Sequence, residues 1–217
     1  MNSFPPVLFI TGTDTGVGKT LVSAVLTAGL RAEYWKPIQS GLTEITDLQR
    51  VKEMTGLPDA HFHREIYRLK RPCSPHASAA SEGVQIRLDA FKVPARRASR
   101  HLIIEGAGGI MVPLNDSQFM IDLMRKIGAP VLLVASSGLG TINHTLLSLK
   151  QLRREGLEVY GVVMNGPKNS SNREAIEHYG RVSVRAEIEP LEMITPEALK
   201  SVFNGVFKNS GYVLNLG

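Results

Sequence analysis

Short apolar runs alternate along the chain with longer segments in which hydrophobic positions recur at helical spacing. Several of the runs are continuously apolar, which is typical of strands covered on both faces of a sheet. We therefore predict strands at Val7–Thr11, Glu33–Ile38, His101–Glu105, Pro130–Ala135, Val159–Met164 and Val182–Ile188. The intervening segments predict helices at Lys19–Leu30, Thr46–Met54, Ser117–Ile127, Thr141–Arg154, Ser171–Gly180 and Pro196–Phe203.

The alternation of strands and helices predicts an α/β fold with a mostly parallel, doubly wound sheet flanked by helices. The length of 217 residues suits one such domain and is short for two, so we expect a single domain over 1–217. The segment Pro58–Gly83 has no clear hydrophobic period and predicts a long connection that is a candidate part of a site. Ligands of doubly wound sheets bind beyond the carboxyl ends of the strands, so we expect the functional groups there.

A glycine-rich loop follows the first predicted strand and opens the first predicted helix. Its sequence, Gly12-Thr-Asp-Thr-Gly-Val-Gly-Lys-Thr20, has the context of a phosphate-binding P-loop, although five residues rather than four separate Gly12 from Gly18. Backbone N–H groups of such a loop bind phosphate oxygens, Lys19 would reach the β- and γ-phosphates, and Thr20 would coordinate Mg²⁺. A glycine-rich turn without a ligand is the alternative. The loop favours a P-loop NTPase domain.

The sequence favours ATP over GTP as the nucleotide. The guanine-recognition motif Asn-Lys-x-Asp is absent, and Asn165, at the end of the fifth predicted strand, is followed by Gly-Pro. Partitioning-type ATPases share a related loop, but Asp14 holds the position of their signature lysine here. A regulatory nucleotide switch of that type is the alternative to an enzyme that consumes ATP to make a product.

Three charged residues lie inside or at the ends of predicted elements. Glu105 ends an apolar strand and precedes Gly-Ala-Gly-Gly109, which suits an Mg²⁺ ligand; a surface glutamate in a glycine-rich turn is the alternative. Lys36 lies in an apolar strand, where its charge needs an anion such as phosphate. Asp47 opens a predicted helix, and the local pattern alone favours a role in the first helical turn.

The charge of the chain favours anionic ligands. The formal net charge is +5, and the densest basic stretch, Lys92 to Arg100, is expected to be a solvated helix end rather than a nucleic-acid site. The single cysteine, Cys73, excludes an intrachain disulfide, and the first apolar run, Val7–Ile10, is far too short to span a bilayer. These features predict a soluble, cytoplasmic protein that binds neither membranes nor nucleic acid.

Several motifs together resemble the dethiobiotin synthetase family. Besides the P-loop and the Glu105–Gly109 stretch, they are Lys36-Pro-Ile-Gln-Ser40-Gly41, Ser74-Pro-His76 and Gly140-Thr-Ile-Asn143-His144, in family order. The resemblance implies a homodimeric ligase of biotin biosynthesis that uses ATP and Mg²⁺. Such an enzyme takes up CO₂ as a carbamate on one amine of 7,8-diaminopelargonate (7,8-diaminononanoate). Phosphorylation of the carbamate and attack by the second amine then give dethiobiotin, ADP and phosphate.

The resemblance also implies which residues form the site. Nucleotide binding is expected at Asp14, Thr15, Gly16, Val17, Gly18, Lys19, Thr20 and Asn165. Metal binding is expected at Thr20, Asp47 and Glu105, which reverses the local interpretation of Asp47. Catalysis is expected from Lys19, Lys36 and Thr15. Substrate binding is expected at Thr15, Lys36, Ser40, Gly108, Gly140, Thr141, Ile142 and Asn143.

Some positions differ from the family pattern or have a second interpretation. Gly16 stands where some members carry glutamate, and Tyr179 is the candidate counterpart of a substrate-contacting tyrosine. The reaction needs no histidine base, so His76 and His144 are expected to be structural. The turn before Thr141 would leave helical N–H groups open for the substrate carboxylate across a dimer interface, with an ordinary capped helix as the alternative. A tetrapyrrole-amidating ligase is disfavoured, because 217 residues cannot hold its glutaminase extension.

Overall fold

The computed structural model describes residues 4–208, in which nine strands and seven α-helices follow one another along the chain. The strands are β1 (Val7–Gly12), β2 (Glu33–Trp35), β3 (Ile38–Ser40), β4 (Phe62–His63), β5 (Tyr67–Leu69), β6 (Leu102–Gly109), β7 (Val131–Ser136), β8 (Val159–Asn165) and β9 (Val184–Ile188). Seven of them form a parallel sheet in the order β4-β2-β6-β1-β7-β8-β9, and β3 pairs with β5 in a separate two-stranded sheet. The predicted domain over 1–217 includes residues 1–3 and 209–217, which lie outside the described residues.

Helices cover the sheet on both faces. They are α1 (Lys19–Leu30), α2 (Asp47–Thr55), α3 (Pro75–Ser81), α4 (Met120–Ile127), α5 (Thr141–Arg154), α6 (Ser170–Gly180) and α7 (Pro196–Phe203). Two 3₁₀ turns, Asp59–His61 and Leu88–Ala90, and a π-helix at Asn204–Lys208 complete the secondary structure of the described residues. None of the described helices is long and apolar enough to cross a membrane.

The central strand β1 contributes to two of the three hydrophobic cores of the described residues. Leu8, Phe9 and Ile10 are all fully buried, but alternate side chains of a strand point to opposite faces. Leu8 and Ile10 pack in a core with α1, α2 and α7, whereas Phe9 packs in the opposite core with α4 and part of α5. The apolar side chains of β1 are thus buried on both faces of the sheet, and the predicted doubly wound α/β fold is confirmed.

The predicted strand Glu33–Ile38 is wrong as a single element. β2 ends at Trp35 and pairs with β4 and β6, whereas β3 begins at Ile38 and pairs with β5. Pro37 separates them because it has no N–H to donate to a neighbouring strand, while its carbonyl accepts from the N–H groups of Ile66 and Tyr67. The break leaves Lys36 just beyond the carboxyl end of β2.

The predicted connection Pro58–Gly83 is also wrong, because it contains ordered elements. It holds the two short strands β4 and β5 and the seven-residue helix α3. Elements of this length contain too few residues to show a hydrophobic period. Their presence matters for function, because the first residue of α3 and the loop before it line the cavity described below.

Further boundaries differ from the predictions. Strand β6 continues to Gly109 rather than ending at Glu105, so Glu105 lies within the strand. Helix α4 begins at Met120 rather than Ser117, because Phe119 is still extended and forms a bridge to Pro113. The basic stretch before β6 is a loop rather than a helix end. Arg96 is half-buried there, and its guanidinium donates to the main-chain carbonyls of Arg97, Ala98 and Arg100.

Candidate active site

The P-loop connects the carboxyl end of β1 to the first turn of α1. Gly16 and Gly18 adopt left-handed conformations, with φ of 80° and 97°. A Cβ atom on Gly18 would lie 2.2 Å from Nδ2 of Asn165, so this position requires glycine for space as well as for conformation. The Asn165 amide donates to the main-chain oxygen of Val17 at 3.1 Å. Asn165, which is expected to bind the nucleotide, therefore contacts the P-loop itself.

Lys19 lies within the curve of the P-loop. Its Nζ donates to the main-chain oxygen of Asp14 at 2.8 Å, and the Asp14 carboxylate accepts from the N–H of Thr15 at 2.6 Å. Burial, and then the nearby positive charge of Lys36, lower the pKa of Lys19 to about 8 against the opposing effect of the acidic neighbours Glu105, Asp47 and Asp14. A phosphate group would stabilise the charged ammonium, so the loop is prepared for an anion.

Lys36 is paired with two carboxylates. Its Nζ lies 2.9 Å from Oε1 of Glu105 and also forms an ion pair with Oδ2 of Asp47. Burial alone would lower the pKa of Lys36, but the charges of Glu105 and Asp47 outweigh it and raise the pKa above its usual value. The buried charge of Lys36 is expected to need an anion, and the carboxylates of Glu105 and Asp47 supply it. The same two residues are expected to bind metal.

The two carboxylates differ in their exposure to solvent. The side chain of Glu105 is fully buried, whereas that of Asp47 is 26% exposed. Burial alone would raise the pKa of Asp47, but the charge of Lys36 and hydrogen bonds from Lys36 and Thr20 hold it below its usual value. Both oxygens of Glu105 are engaged, because Oε2 accepts from the Tyr34 hydroxyl at 3.0 Å. Burial first, and then the charge of Glu105, raise the pKa of Tyr34 well above its usual value, so this hydroxyl keeps its proton.

Neighbouring elements bring this cluster together. The parallel register of β2 and β6 places Trp35 opposite Ile104. The residues that follow them, Lys36 and Glu105, are therefore neighbours. Asp47 is the first residue of α2, and its N–H donates to the side-chain oxygen of Gln39 at 3.2 Å. Sequence analysis did not single out Gln39, although it lies inside the Lys36–Gly41 motif.

Thr20 links the cluster to the P-loop. Its Oγ1 lies 3.1 Å from Oδ1 of Asp47 and 3.0 Å from Oε1 of Glu105. A hydroxyl has one proton, so it donates to only one of these carboxylates at a time. The first turn of α1, the two carboxylates and Lys36 thus lie close together near the carboxyl end of β2.

The donor set of this cluster fits Mg²⁺. Thr20, Asp47 and Glu105 offer hard oxygen ligands, and Mg²⁺ commonly uses one or two carboxylates and completes its shell with water and substrate phosphates. Within residues 4–208 no group of three or more His, Cys, Asp or Glu side chains could hold a metal by itself. A cation at this point would therefore complete its coordination with the phosphates of a nucleotide.

A cavity of about 560 Å³ opens beside the cluster. Of the residues expected to bind substrate, Thr15, Ser40 and Gly108 line it. Gln39 and Cys73 also line it and were missed as site residues; Cys73 directly precedes the Ser74-Pro-His76 motif, which was the available signal. Lys36, likewise expected to bind substrate, also lines it. The other lining residues are Gly16, Gly18, Lys19, Thr20, Asp47, Pro72, Ser74, Pro75, Glu105, Ala107 and Val112.

The expected substrate residues of α5 do not line this cavity within the one chain. Gly140 precedes the helix with φ of 90°, and the Thr141 hydroxyl donates to the main-chain oxygen of Ser136 at 2.5 Å. Ile142 is half-buried and Asn143 is exposed. The structure therefore brings the P-loop, Lys36, Ser40 and Gly108 together, but leaves the start of α5 apart from them.

Three other residues considered from the sequence also lie apart from the cavity. Tyr179 on α6 is 69% exposed and does not line it. His76 and His144 are exposed and do not line it either. The chemistry of the cavity thus rests on lysines, carboxylates and hydroxyls.

Comparisons with known proteins bear on what this cavity does. The family model described as AAA domain matches residues 7–198. The ATP-dependent dethiobiotin synthetase BioD of Paramagnetospirillum magneticum is 52% identical over 188 residues, which cover 87% of this chain and 90% of that protein. The protein of the same name from Cytophaga hutchinsonii is 43% identical over 201 residues, which cover 93% of this chain and 97% of its own length.

Solved structures with a similar fold are more distant in sequence. A ParA family ATPase from Chlorobium tepidum gives a TM-score of 0.52 at 10% identity and covers 92% of this chain and 89% of its own. The septum site-determining protein MinD of Pyrococcus horikoshii, complexed with Mg-ADP, gives a TM-score of 0.51 at 14% identity. That match covers 94% of this chain and 97% of the MinD chain. At such low identity the likeness shows the fold alone, which is that of P-loop ATPases.

Proposed function

The chain belongs to the ATP-dependent dethiobiotin synthetases, within the AAA domain family, and we propose that it joins CO₂ to 7,8-diaminopelargonate to make dethiobiotin at the cavity beside Lys36. It is therefore an ATP-dependent enzyme of biotin biosynthesis. The observation that most supports this site is the contact of Lys36 with both Glu105 and Asp47, beside the N-terminal turn of α1. That arrangement places the charges needed for phosphoryl transfer next to a cavity that can hold a small substrate.

The P-loop would bind the ATP phosphates. Lys19 supplies a positive charge inside the loop, and Gly18 allows the backbone to curve closely around the phosphates. Thr20, Asp47 and Glu105 would hold Mg²⁺, which when bound neutralises charge on the β- and γ-phosphates. Phosphoryl transfer depends mainly on positioning and charge neutralisation, so these groups suffice without a covalent nucleophile.

Lys36 would stabilise the carbamate and the γ-phosphate as they react. One amine of the diamine attacks CO₂, forms a C–N bond and loses a proton, which gives the carbamate. A carbamate oxygen then attacks the γ-phosphorus and the bond to ADP breaks. The second amine attacks the carbonyl carbon of the mixed anhydride and loses a proton to water, while the C–O bond breaks and phosphate leaves with the former carbamate oxygen. Each step moves negative charge within reach of Lys36 or Lys19.

The diamine would lie in the cavity between the P-loop and α3. Thr15, Ser40 and Gly108 line it, and the buried Oγ of Ser40 has no hydrogen-bond partner among the described residues. A carbamate or amine would supply that partner. This supports Ser40 as a substrate contact.

We further propose that the substrate carboxylate binds at the start of α5 of a second copy of the chain. The helix begins after a left-handed glycine, and the N–H of Thr141 already donates to the main-chain oxygen of Gly138. The N–H groups of Ile142 and Asn143 would therefore bind the carboxylate, together with the helix dipole. In its own chain this site does not line the cavity, so a partner subunit would have to supply it. The active enzyme would then be a homodimer with composite sites, and its partners would be small molecules rather than nucleic acid.

The cytoplasm is the proposed location. The single cysteine, Cys73, is exposed and lines the cavity, where a reducing compartment would keep it from oxidation.

A regulatory ATPase has no specific support beyond the shared fold. Asp14 still occupies the position of the signature lysine of the partitioning-type loop. The test is whether ATP turnover depends on the diamine. We expect ADP release to rise at least tenfold when the diamine and bicarbonate are added, whereas equal ADP release with and without them would favour the switch.

A further inference from the structure

Tyr34 contacts the buried oxygen of Glu105 that faces away from the cavity. The tyrosine side chain is fully buried, and its hydroxyl lies 3.0 Å from Oε2 of Glu105. The other oxygen, Oε1, faces Lys36 at 2.9 Å and Thr20 at 3.0 Å. The two oxygens of one carboxylate thus have separate partners, one in the core and one in the site.

The contact follows from the alternation of side chains in two paired strands. Tyr34 of β2 lies opposite Ile103 of β6, and Glu105 is two residues beyond Ile103 on the same face. Both Tyr34 and Ile103 pack in the core beneath α1 and α2. The tyrosine ring therefore fills apolar space, and its hydroxyl ends at the carboxylate.

We propose that Tyr34 is a positioning residue that sets the orientation of Glu105 as a metal ligand. This role rests on the proposed function of Glu105. A carboxylate on a glutamate side chain can rotate about its last bond, and the hydrogen bond from Tyr34 prevents this by fixing Oε2 in the core. Oε1 then points at Thr20, where the metal and the γ-phosphate would meet.

Loss of the hydroxyl would leave Oε2 without a donor in apolar surroundings. The carboxylate would turn to satisfy both oxygens from the site side, and Oε1 would leave the position it now holds. Groups that orient metal ligands in this way commonly change metal affinity by about tenfold or more when they are removed. The tyrosine ring does not touch the cavity, so its role would be exerted through Glu105 alone.

The variant Tyr34→Phe tests the role because it removes one oxygen and keeps the ring. The measurement is the Kd for Mn²⁺ in the presence of a non-hydrolysable ATP analogue, from electron paramagnetic resonance of the free ion. We expect the Kd to rise about tenfold. The matched control is Tyr67→Phe, which also removes a hydrogen-bonded hydroxyl, the acceptor of the Arg87 N–H at 3.0 Å, and should leave the Kd unchanged.

A double-mutant cycle distinguishes positioning from a general effect on the fold. In a Glu105→Gln background, Tyr34→Phe should change the Kd for Mn²⁺ by less than about twofold, because the residue through which it acts is already altered. A Kd within about twofold of the unmodified protein for Tyr34→Phe, while Glu105→Gln is impaired, would overturn the role of Tyr34 and leave the proposed metal site intact. If Glu105→Gln itself binds Mn²⁺ normally, both the metal site and the positioning role are overturned.

Discussion

Nζ of Lys36, just beyond the end of β2, and Oε1 of Glu105, within the neighbouring parallel strand β6, lie 2.9 Å apart, and the Glu105 side chain is fully shielded from solvent. Asp47 shares the same ammonium, so one lysine balances two carboxylates. A divalent cation bound by these carboxylates would take over that balance and leave Lys36 available to a phosphate or carbamate. The ion pair therefore connects the stability of the metal-free protein to its activity.

The first prediction concerns Lys36→Met, which keeps an unbranched side chain and removes the charge. The metal-free variant should lose about 3 kcal/mol of unfolding free energy, because Glu105 is left buried without its cation. Mg²⁺ should restore part of the loss, but dethiobiotin formation should stay at least about a hundredfold below normal. Urea unfolding with and without Mg²⁺ gives the stabilities, and Lys126→Met on the exposed surface of α4 is the control. Normal turnover in the Lys36 variant would contradict the role in the reaction.

The second prediction concerns the two carboxylates. Glu105→Gln and Asp47→Asn should each raise the Mg²⁺ concentration for half-maximal activity by about tenfold or more, because an amide lacks the charge that Mg²⁺ prefers. The measurement is a Mg²⁺ titration of the rate at saturating ATP. Asp89→Asn, which removes an exposed carboxylate paired with Arg87, should leave the titration unchanged. Unchanged metal dependence in both site variants would show that neither residue is a ligand.

The third prediction is a pH dependence of ATP binding. The pKa of Lys19 is lowered to about 8, chiefly by burial, and bound phosphate favours its charged form. Raising the pH from 7 to 9 removes that proton in the nucleotide-free protein, so the apparent Kd for ATP should rise by about tenfold. Lys19→Arg should flatten this rise, because arginine stays charged. Equal affinities at pH 7 and pH 9 in the unmodified protein would contradict a role for the Lys19 charge.

The parts of the site that are consecutive in sequence could be predicted, whereas contacts between residues far apart in sequence could not. The P-loop was recognisable because its glycines, Lys19 and Thr20 are consecutive between a strand and a helix. Lys36 and Glu105 are 69 residues apart, and only the register of β2 and β6 makes them neighbours. Tyr34 gave no signal, since an aromatic residue in a strand is ordinary core and its hydrogen bond depends on that same register.

The second strand shows a different limit. Glu33–Ile38 has the composition of one strand, but Pro37 ends the pairing with the central sheet and Ile38 starts another. The local pattern alone favoured a first-turn role for Asp47. In the structure Asp47 does begin α2, but its side chain also contacts Lys36 and Thr20. Asp47 thus begins a helix and also takes part in the charged cluster. The local sequence pattern indicates only the first of these two roles.

The fourth prediction concerns the proposed composite site. Asn143→Ala should raise the Michaelis constant for the diamine about tenfold and leave that for ATP nearly unchanged, because it would remove binding to one substrate only. His144→Ala, the exposed neighbour on the same helix, is the control. Analytical ultracentrifugation at assay concentration should show a dimer. Equal effects on both Michaelis constants, or full activity in a monomer, would contradict the composite site.

Whether the chain makes dethiobiotin at this site is tested most directly by mass spectrometry of its products from ATP, Mg²⁺, ¹³C-bicarbonate and 7,8-diaminopelargonate. We expect dethiobiotin that carries one ¹³C at the ureido carbon, formed in equal amounts with ADP and phosphate, and no such product from Lys36→Met. Release of ADP and phosphate by the unmodified protein without any labelled dethiobiotin would contradict the proposed function.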